Sequence, residues 1–361
     1  MTGQQQRIVV LGAGYAGLAA ARGLARSMRG ARITVVDTRA EFVERVRLHQ
    51  AVAGQRVRRW DLRKMLGDKG IEFIQARVTD LDPAARRVRL DTGTELAYDT
   101  LVYALGSAAD RSVPGVVEHA RCLATPEDVR TLPAGPVVVV GAGATGIELA
   151  AELAEAHPES LVTLLGVRAP GAWLSARAVE RIGGALADLG VEIRTEAKVV
   201  EVLPEGVLLA DGTVVPAATV VWTAGFTVPD LARRAGLEVD EHGRVRTDET
   251  LRSRSHPAVY AAGDAALMTG PGDRPLRMAC ATAIPTGGYL ARAIAARARG
   301  AEPKPMRFRY YLQCLSLGRR AAVIQVLTPD DRPARTVLHG RLGAWVKELI
   351  VRGAGMSVGA R

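Results

Sequence analysis

Short apolar runs alternate with amphipathic segments along most of this chain, and the alternation predicts an α/β fold. The run at 8–11 indicates a buried parallel strand, and the segment at 18–26 has the spacing of a helix. Four valines at 137–140 begin a second unit of the same kind, again followed by an amphipathic run. Three further buried strands are predicted at 99–106, 218–225 and 256–264. The chain therefore contains one strand–helix unit twice.

The pattern changes after about residue 305, where two apolar segments predict strands before a terminal helix at 341–353. One stripe of this helix is apolar, and it consists of Leu342, Trp345, Val346, Leu349 and Ile350. Such a helix can pack on the rest of the chain or on the second subunit of a homodimer, or it can lie on a membrane as a peripheral contact. We expect packing, within a small α+β C-terminal domain.

Both units carry the glycine spacing of a dinucleotide-binding turn between the strand and the helix. In the first unit Gly12 allows the tight turn, Gly14 lets the backbone approach a pyrophosphate, and Gly17 lets the helix pack closely on the strand. The next strand ends at Asp37, about 20 residues after Gly17, where a carboxylate binds ribose hydroxyls. Strand, glycines, helix and acid in this register predict a dinucleotide site.

The second unit aligns with the first without a gap, and its glycines are Gly141, Gly143 and Gly146. The alignment places Gly166 where Asp37 stands, so the second unit keeps the phosphate-binding half and lacks the ribose-binding acid. Arg168 follows shortly afterwards. Two interpretations stay open: a preference for NADPH, because the acid that would repel a 2′-phosphate is absent, or a site that does not distinguish NADPH from NADH.

Composition narrows the classes of function. With 361 residues, 48% of them hydrophobic, the chain is long enough for roughly two or three domains. The net charge of +10 is dispersed without a basic run, and aromatic residues are only 4%, so no nucleic-acid partner is expected. Cys122, Cys280 and Cys314 lie far apart in the sequence and form no CxxC pair, which argues against a disulfide-reductase redox pair and against a four-cysteine metal site.

Membrane and targeting segments are not expected. No segment reaches the roughly 18 uninterrupted apolar residues of a membrane span. The apolar stretch at 8–21 carries the fingerprint glycines, so we do not interpret it as a signal peptide. A reducing cytoplasm is the expected location, with at most a peripheral contact to the membrane.

These features resemble the two-dinucleotide-binding-domain flavoprotein superfamily. The resemblance rests on the two glycine turns, on the strand that ends at Gly106 and on the segment YAAGD at 260–264. Within the superfamily the chain is similar to type II NADH dehydrogenases and to apoptosis-inducing-factor-like oxidoreductases, in the segments 143–155, 277–287 and 316–325. The resemblance implies two Rossmann-like domains in a glutathione-reductase-like arrangement, bound FAD, and NADH or NADPH as co-substrate.

The resemblance also implies a division of the chain. Residues 1–110 and 247–304 would form a discontinuous FAD-binding domain, residues 111–246 an inserted NAD(P)H-binding domain, and residues 305–361 the C-terminal domain. The residues expected to bind FAD are Gly12, Gly14, Ala16, Gly17, Asp37, Val78, Gly106, Gly263, Asp264, Ala283 and Ile284. Those expected to bind NAD(P)H are Gly141, Gly143, Gly146, Arg168 and Gly225.

By the same resemblance, Asp37 would hold the adenosine ribose of FAD, Asp264 would hold the ribityl chain, and Val78 would offer its backbone to adenine. A helix expected to begin near Pro285 would direct its positive end to the flavin edge that becomes negative on reduction.

Three polar residues are candidates for the chemistry. Glu148 lies in the first turn of the second helix, where the two cofactors would meet, and it would orient the nicotinamide or relay a proton, unless it is only an acid favoured by the helix dipole. His49 and Gln50 occupy the place where disulfide reductases keep their cysteines, and His49 is a proton donor or a structural histidine. Glu152, one turn after Glu148, should face solvent or an arginine.

The expected function is that of an FAD-dependent oxidoreductase in which NAD(P)H reduces bound FAD, with a quinone or quinone-like aromatic as the small-molecule electron acceptor. Three alternatives stay open. They are ferredoxin-reductase-like transfer to a small redox protein, oxidation of a specific metabolite with oxygen as acceptor, and an NAD(P)H-sensing flavoprotein.

Overall fold

A computed structural model describes residues 5–128, 132 and 135–361. The strands up to residue 110 are β1 (Arg7–Leu11), β2 (Arg32–Asp37), β3 (Glu41–Val43), β4 (Arg59–Asp61), β5 (Glu72–Gln75), β6 (Val78–Asp82), β7 (Arg87–Leu90), β8 (Glu95–Ala97), β9 (Thr100–Tyr103) and β10 (Ala108–Ala109). The helices of this part are α1 (Tyr15–Ser27), α2 (Leu48–Val52) and α3 (Leu62–Gly67).

The strands from 111 to 246 are β11 (Ala120–Cys122), β12 (Val137–Val140), β13 (Val162–Leu165), β14 (Glu192–Arg194), β15 (Val199–Leu203), β16 (Gly206–Leu209), β17 (Val214–Pro216), β18 (Thr219–Trp222), β19 (Phe226–Thr227) and β20 (Val245–Arg246). The helices are α4 (Val116–His119), α5 (Ala144–Ala156), α6 (Ala176–Asp188) and α7 (Leu231–Arg234). The remaining elements are β21 (Val259–Ala261), β22 (Ala266–Leu267), α8 (Cys280–Ala298), β23 (Leu312–Ser316), β24 (Ala322–Leu327), β25 (Pro333–His339) and α9 (Gly340–Val358).

Two five-stranded parallel sheets share the arrangement of four strands and differ in the origin of one edge strand. This edge strand follows the other four in the chain in the first sheet (β21) and precedes them in the second (β11). The first has the order β21-β9-β1-β2-β5, and the second has the order β11-β18-β12-β13-β14. In each sheet the strand that precedes the glycine turn lies at the centre, and four of its positions are apolar and buried. The predicted pair of Rossmann-like units is therefore confirmed. The exact limits of the three domains stay a prediction.

The C-terminal part is α+β. Strands β23, β24 and β25 form an antiparallel sheet, and α9 follows β25 directly and packs against this sheet and α1. Across the described part of the chain, none of the helices combines the length and the apolar character that crossing a bilayer requires.

Helix α8 begins earlier than the sequence suggests. We expected its start near Pro285, but the helix begins at Cys280, and Pro285 lies inside it. An interior proline removes one backbone hydrogen bond and crowds the carbonyl four residues earlier, yet the helix continues to Ala298. The hydroxyl of Thr282 donates to the carbonyl of Ala279 at 2.7 Å and helps to close the first turn. The positive end of α8 is thus formed by residues 280–283.

Helix α9 packs with a different face from the one its apolar stripe predicts. The buried positions are Gly343, Lys347, Val351, Gly355 and Val358. Leu342 is 59% exposed and Trp345 is 62% exposed. A Cβ on Gly343 would lie 2.5 Å from the carbonyl oxygen of Ala322, so the backbone of α9 approaches β24 too closely for a large side chain. The helix packs as expected, but the expected packing face was wrong.

Candidate functional site

One cavity of about 1070 Å³ runs between the two dinucleotide turns and reaches α9. Ten residues of the predicted FAD set line it, namely Gly12, Gly14, Ala16, Asp37, Val78, Gly106, Gly263, Asp264, Ala283 and Ile284. The eleventh, Gly17, lies beneath the turn. The volume and the lining have the scale of a site for a large cofactor and a smaller partner.

The first glycine turn forms a backbone cradle. A Cβ on Gly12 would lie 2.3 Å from the carbonyl oxygen of Ala104, and a Cβ on Gly17 would lie 1.9 Å from the carbonyl oxygen of Gly12. A Cβ on Gly14 would meet no atom within 4 Å, because this residue faces the open cavity. The α1 amides and dipole at this point favour an anionic group, as a pyrophosphate requires.

Two backbone N–H groups fix the orientation of the Asp37 carboxylate. Its Oδ2 accepts the N–H of Ala13 at 2.7 Å, and its Oδ1 accepts the N–H of Arg39 at 2.9 Å. Both oxygens keep lone pairs for further donors, and the residue lines the cavity. These residues fit the adenosine half of FAD.

Asp264 lies at the other end of this cofactor path. It accepts a hydrogen bond from Ser107 Oγ at 2.7 Å, and Arg45 Nη1 lies 3.5 Å from it. The same guanidinium stacks on the ring of Phe226 at 4.9 Å and so connects the first unit to the second. Burial lowers the pKa of Arg45 from its usual value, although the group stays a cation at neutral pH. Sequence reasoning missed Arg45, because no motif surrounds it.

The second glycine turn repeats the cradle. A Cβ on Gly146 would lie 1.8 Å from the carbonyl oxygen of Gly141, whereas Gly143 again faces open space. Gly143 and Gly225 line the common cavity, but Gly141 and Gly146 lie beneath it. Arg168 lies outside the lining and is exposed.

A buried polar cluster separates the second turn from α9. Glu148, at the start of α5, accepts a hydrogen bond from Lys347 Nζ on its Oε1 and another from the N–H of Ser316 at 3.0 Å. Lys347 Nζ also donates to Ser316 Oγ at 3.1 Å. His49 Nε2 lies 3.3 Å from this hydroxyl oxygen, and its Nδ1 lies 3.8 Å from Glu148 Oε2. Lys347, His49 and Glu148 all line the cavity.

One group of this cluster, Lys347, has a pKa near neutral pH. Burial, together with the nearby Arg47 guanidinium, lowers the pKa of Lys347 to about 7. Burial and the cations Lys347 and Arg319 hold the pKa of His49 well below its ordinary range. At neutral pH the imidazole is therefore neutral, and Lys347 is the group that gains or loses a proton there.

Gln50 and Glu152 lie on the far side of this cluster. Gln50 lines a second, small cavity of about 30 Å³ rather than the large one, in company with Ser316 and Lys347. Glu152 is buried instead of facing solvent, and its Oε1 accepts a hydrogen bond from Gln55. Arg319 lies 3.8 Å from Glu152, so the expected arginine neighbour is present.

Two cysteines also line the cavity, although they are distant in sequence. Burial raises the pKa of Cys280 to about 11 and the pKa of Cys314 to about 12, so both are protonated thiols at neutral pH. Arg277 lines the same cavity; its guanidinium lies 2.9 Å from Asp331 and 4.5 Å from the centre of the Tyr310 ring. At the end of the cavity beside β23, the wall therefore contains two uncharged thiols and the guanidinium of Arg277.

The geometry defines a class of protein: a flavoprotein with two dinucleotide sites that meet in one cavity, at a buried acid–lysine pair. Comparisons with known proteins agree with this class. Residues 6–298 match the model of the family described as pyridine nucleotide-disulphide oxidoreductase. An NADH dehydrogenase-like protein of Mycobacterium tuberculosis is 34% identical, and the alignment covers 88% of this chain and 87% of that protein.

A demethylphylloquinone reductase of Synechocystis is 28% identical over 97% of this chain and 96% of its own length. Among solved structures, the sulfide:quinone oxidoreductase of Aquifex aeolicus superposes with a TM-score of 0.83, at 19% identity, over 98% of this chain and 91% of that one. The chain belongs to the pyridine nucleotide-disulphide oxidoreductase family. It is an FAD-dependent oxidoreductase with a nicotinamide nucleotide as co-substrate, similar to the type II NADH dehydrogenases.

Proposed function

We propose that this enzyme catalyses the oxidation of NAD(P)H by a quinone, so that NAD(P)H, one proton and the quinone give NAD(P)⁺ and the quinol. FAD would supply the redox chemistry, accepting two electrons from the nicotinamide and passing them on. The names of relatives, among them a demethylphylloquinone reductase, support a quinone as acceptor. The observation that carries the proposal is the Glu148–Lys347 pair in the wall of the common cavity.

The Glu148–Lys347 pair can supply a proton for quinone reduction. A quinone needs protons as well as electrons, so the site must hold a titratable proton near the acceptor. Lys347 Nζ holds one, and its pKa of about 7 lets it release and regain that proton at neutral pH. Glu148 Oε1 and Ser316 Oγ fix the direction of the ammonium N–H groups. Ile350 and Val351 of the same helix add apolar cavity wall beside Lys347, as a quinone ring requires.

The test is anaerobic mixing of the FAD-loaded enzyme with NADH or NADPH, followed by flavin absorbance near 450 nm. Bleaching by at least one nucleotide, and fast recovery on addition of a short-chain menaquinone or ubiquinone analogue, is the expected result. If the flavin absorbance instead recovered with a ferredoxin, or with oxygen alone, that molecule and not a quinone would be the acceptor. The absence of bleaching with both nucleotides would overturn the reductase function itself.

We further infer that the exposed apolar face of α9, formed by Leu342, Trp345, Leu349 and Met356, is a peripheral membrane contact. The opposite, buried side of the same helix carries Lys347 and Val351, which line the cavity. A quinone dissolved in a bilayer would then reach the cavity beside α9. Aromatic and aliphatic side chains on one face of a helix suit the interface region of a lipid surface.

Vesicle flotation tests this contact. We expect the Trp345→Ser/Leu349→Ser double variant to lose several-fold of its association with phosphatidylglycerol-containing vesicles. The matched control is Val117→Ser/Leu161→Ser, which removes two exposed apolar side chains elsewhere. Equal flotation of the two variants would contradict the contact, and a concentration-dependent dimer that only the α9 variant abolishes would assign the face to a second subunit.

A further inference from the structure

The ribose end of the second dinucleotide turn differs from that of the first in its charge. In the first turn the carboxylate of Asp37 occupies this position and accepts the N–H of Ala13. A carboxylate there accepts the hydroxyls of an unmodified ribose and repels a 2′-phosphate. The first turn is therefore suited to a nucleotide without a 2′-phosphate, as FAD is.

In the second turn the packing excludes a side chain at the same position. A Cβ on Gly166 would lie 2.4 Å from Ala142 Cβ and 2.9 Å from the carbonyl oxygen of Arg168. Within the described residues the N–H of Ala142, the counterpart of the Ala13 N–H, has no hydrogen-bond acceptor. The second turn thus presents a free donor where the first presents an anion.

The nearby cation is free to bind. Arg168 is exposed, and in the part of the chain that the structure describes its guanidinium makes no hydrogen bond or ion pair. Arg194, on the neighbouring strand end, is instead held by Glu192 at 2.8 Å. The adjoining loop carries Glu196 and Lys198, both exposed, whose charges offset each other. Arg168 therefore decides the sign of the charge at this edge.

We propose that the nicotinamide site selects NADPH over NADH, with Arg168 pairing with the 2′-phosphate. This inference rests on the proposed function, because it concerns the electron donor of the same enzyme. An arginine pairs with a phosphate through charge-assisted hydrogen bonds, which are about twice as strong as neutral ones. NADH gains no such bond, and its 2′-hydroxyl finds no carboxylate in the second turn.

Steady-state kinetics with the FAD-loaded enzyme measure the selection. We expect kcat/KM for NADPH to exceed that for NADH by roughly tenfold or more, at low ionic strength. Arg168→Ala should lower this ratio by about tenfold, whereas Arg181→Ala, which removes an exposed arginine of α6, should leave the ratio unchanged. Val167→Glu should invert the ratio, because it returns a carboxylate to this edge at a side chain that is 63% exposed.

A binding measurement separates recognition from turnover. Adenosine 2′,5′-bisphosphate and AMP differ by the 2′-phosphate alone, so calorimetric titration of the FAD-loaded enzyme with each isolates that group. We expect the bisphosphate to bind roughly tenfold more tightly, and Arg168→Ala to remove the difference. Equal affinities, or equal kcat/KM values for NADPH and NADH, would overturn the selection while the reductase function stands. Failure of both nucleotides to bleach the flavin would overturn the proposed function instead.

Discussion

The two dinucleotide turns share a backbone and differ in their side chains. Gly17 and Gly146 lie equally close to the turn carbonyl beneath them, at 1.9 and 1.8 Å from an added Cβ. The first unit has Asp37 at the end of its second strand and Ala19 on its helix, whereas the second unit has Gly166 and Glu148 at the matching positions. The shared features suit a pyrophosphate. We infer that the differing ones distinguish a resident cofactor from a visiting co-substrate that must meet an acceptor.

The surroundings of the two helices reinforce this difference. Helix α1 is covered by α8, and the contact is so close that a Cβ on Gly287 would lie 2.3 Å from the carbonyl oxygen of Ala16. Helix α5 instead meets β23 and α2, and it directs Glu148 towards Lys347. The close cover of α1 by α8 suits a permanently bound cofactor. The first turn of α5, with Glu148 at the cavity, suits catalysis.

The largest effects are expected from substitutions that add a Cβ inside the two glycine turns. Gly17→Ala should release FAD and destabilise the protein by on the order of 3 kcal/mol, because its Cβ collides with the turn backbone. Gly146→Ala should keep FAD bound and abolish bleaching by the nicotinamide. The flavin-to-protein absorbance ratio after gel filtration measures the first effect, and rapid mixing measures the second.

Gly183→Ala is the matched control for both variants, since an added Cβ there meets no atom within 4 Å. It should keep both the flavin and the bleaching. If Gly146→Ala also lost FAD, the two turns would not have separate occupants.

The second largest effect is expected at Glu148, the acid of α5 that has no counterpart on α1. Glu148→Gln should lower quinone turnover by about a hundredfold, because it removes the carboxylate that orients Lys347, while flavin content stays unchanged. Turnover with a short-chain quinone under saturating nucleotide measures the loss. Glu180→Gln, an exposed acid on α6, serves as the control, and identical kinetics for the two variants would refute the role of Glu148.

Asp37, which has no counterpart in the second turn, should affect the affinity for FAD rather than the turnover rate. Asp37→Asn should weaken FAD binding by roughly tenfold, because a neutral amide is a poorer acceptor for ribose hydroxyls than a carboxylate. Fluorescence titration of the apoprotein with FAD measures this affinity, and the control is the exposed Asp68→Asn. An unchanged FAD affinity would mean that Asp37 serves the turn backbone alone.

A smaller effect, of a few-fold, is a pH dependence. Lys347 is protonated below about pH 7 and neutral above it, so a rate that depends on its proton should fall as the pH rises through 7. His49 stays neutral in this range and contributes no step. Lys347→Met should flatten the profile of quinone turnover, and a step near pH 7 that persists in this variant would assign the proton to another group.

The same shift predicts a change in stability. The pKa of Lys347 falls from 10.5 to about 7 on folding, so between these values the unfolded chain binds a proton that the folded protein does not. The free energy of unfolding should therefore rise with pH in this window, and it should rise less in Lys347→Met. Urea denaturation at two pH values within the window measures the difference.

The parts of this site that depend on neighbours in sequence could be predicted, and those that depend on contacts between distant segments could not. The glycine turns and Asp37 follow from strand–turn–helix register, and Asp264 follows from the resemblance of the segment YAAGD to the flavoprotein superfamily. The apolar stripe of the terminal helix predicts a packing face that does not include Lys347, because apolarity alone indicates which side of a helix is buried. The structure instead buries the face that contains Gly343, since the close approach to β24 requires a glycine there.

The strand order of the first sheet also has a consequence for biosynthesis. Strand β21 (Val259–Ala261) pairs with β9 and completes that sheet, whereas the second sheet takes all its strands from residues 120–194 and 219–222. A ribosome that delivers the chain from its N-terminus therefore releases the second sheet in full before the first one can close. Asp264 and the start of α8 emerge later still, so flavin capture should be among the last events of folding.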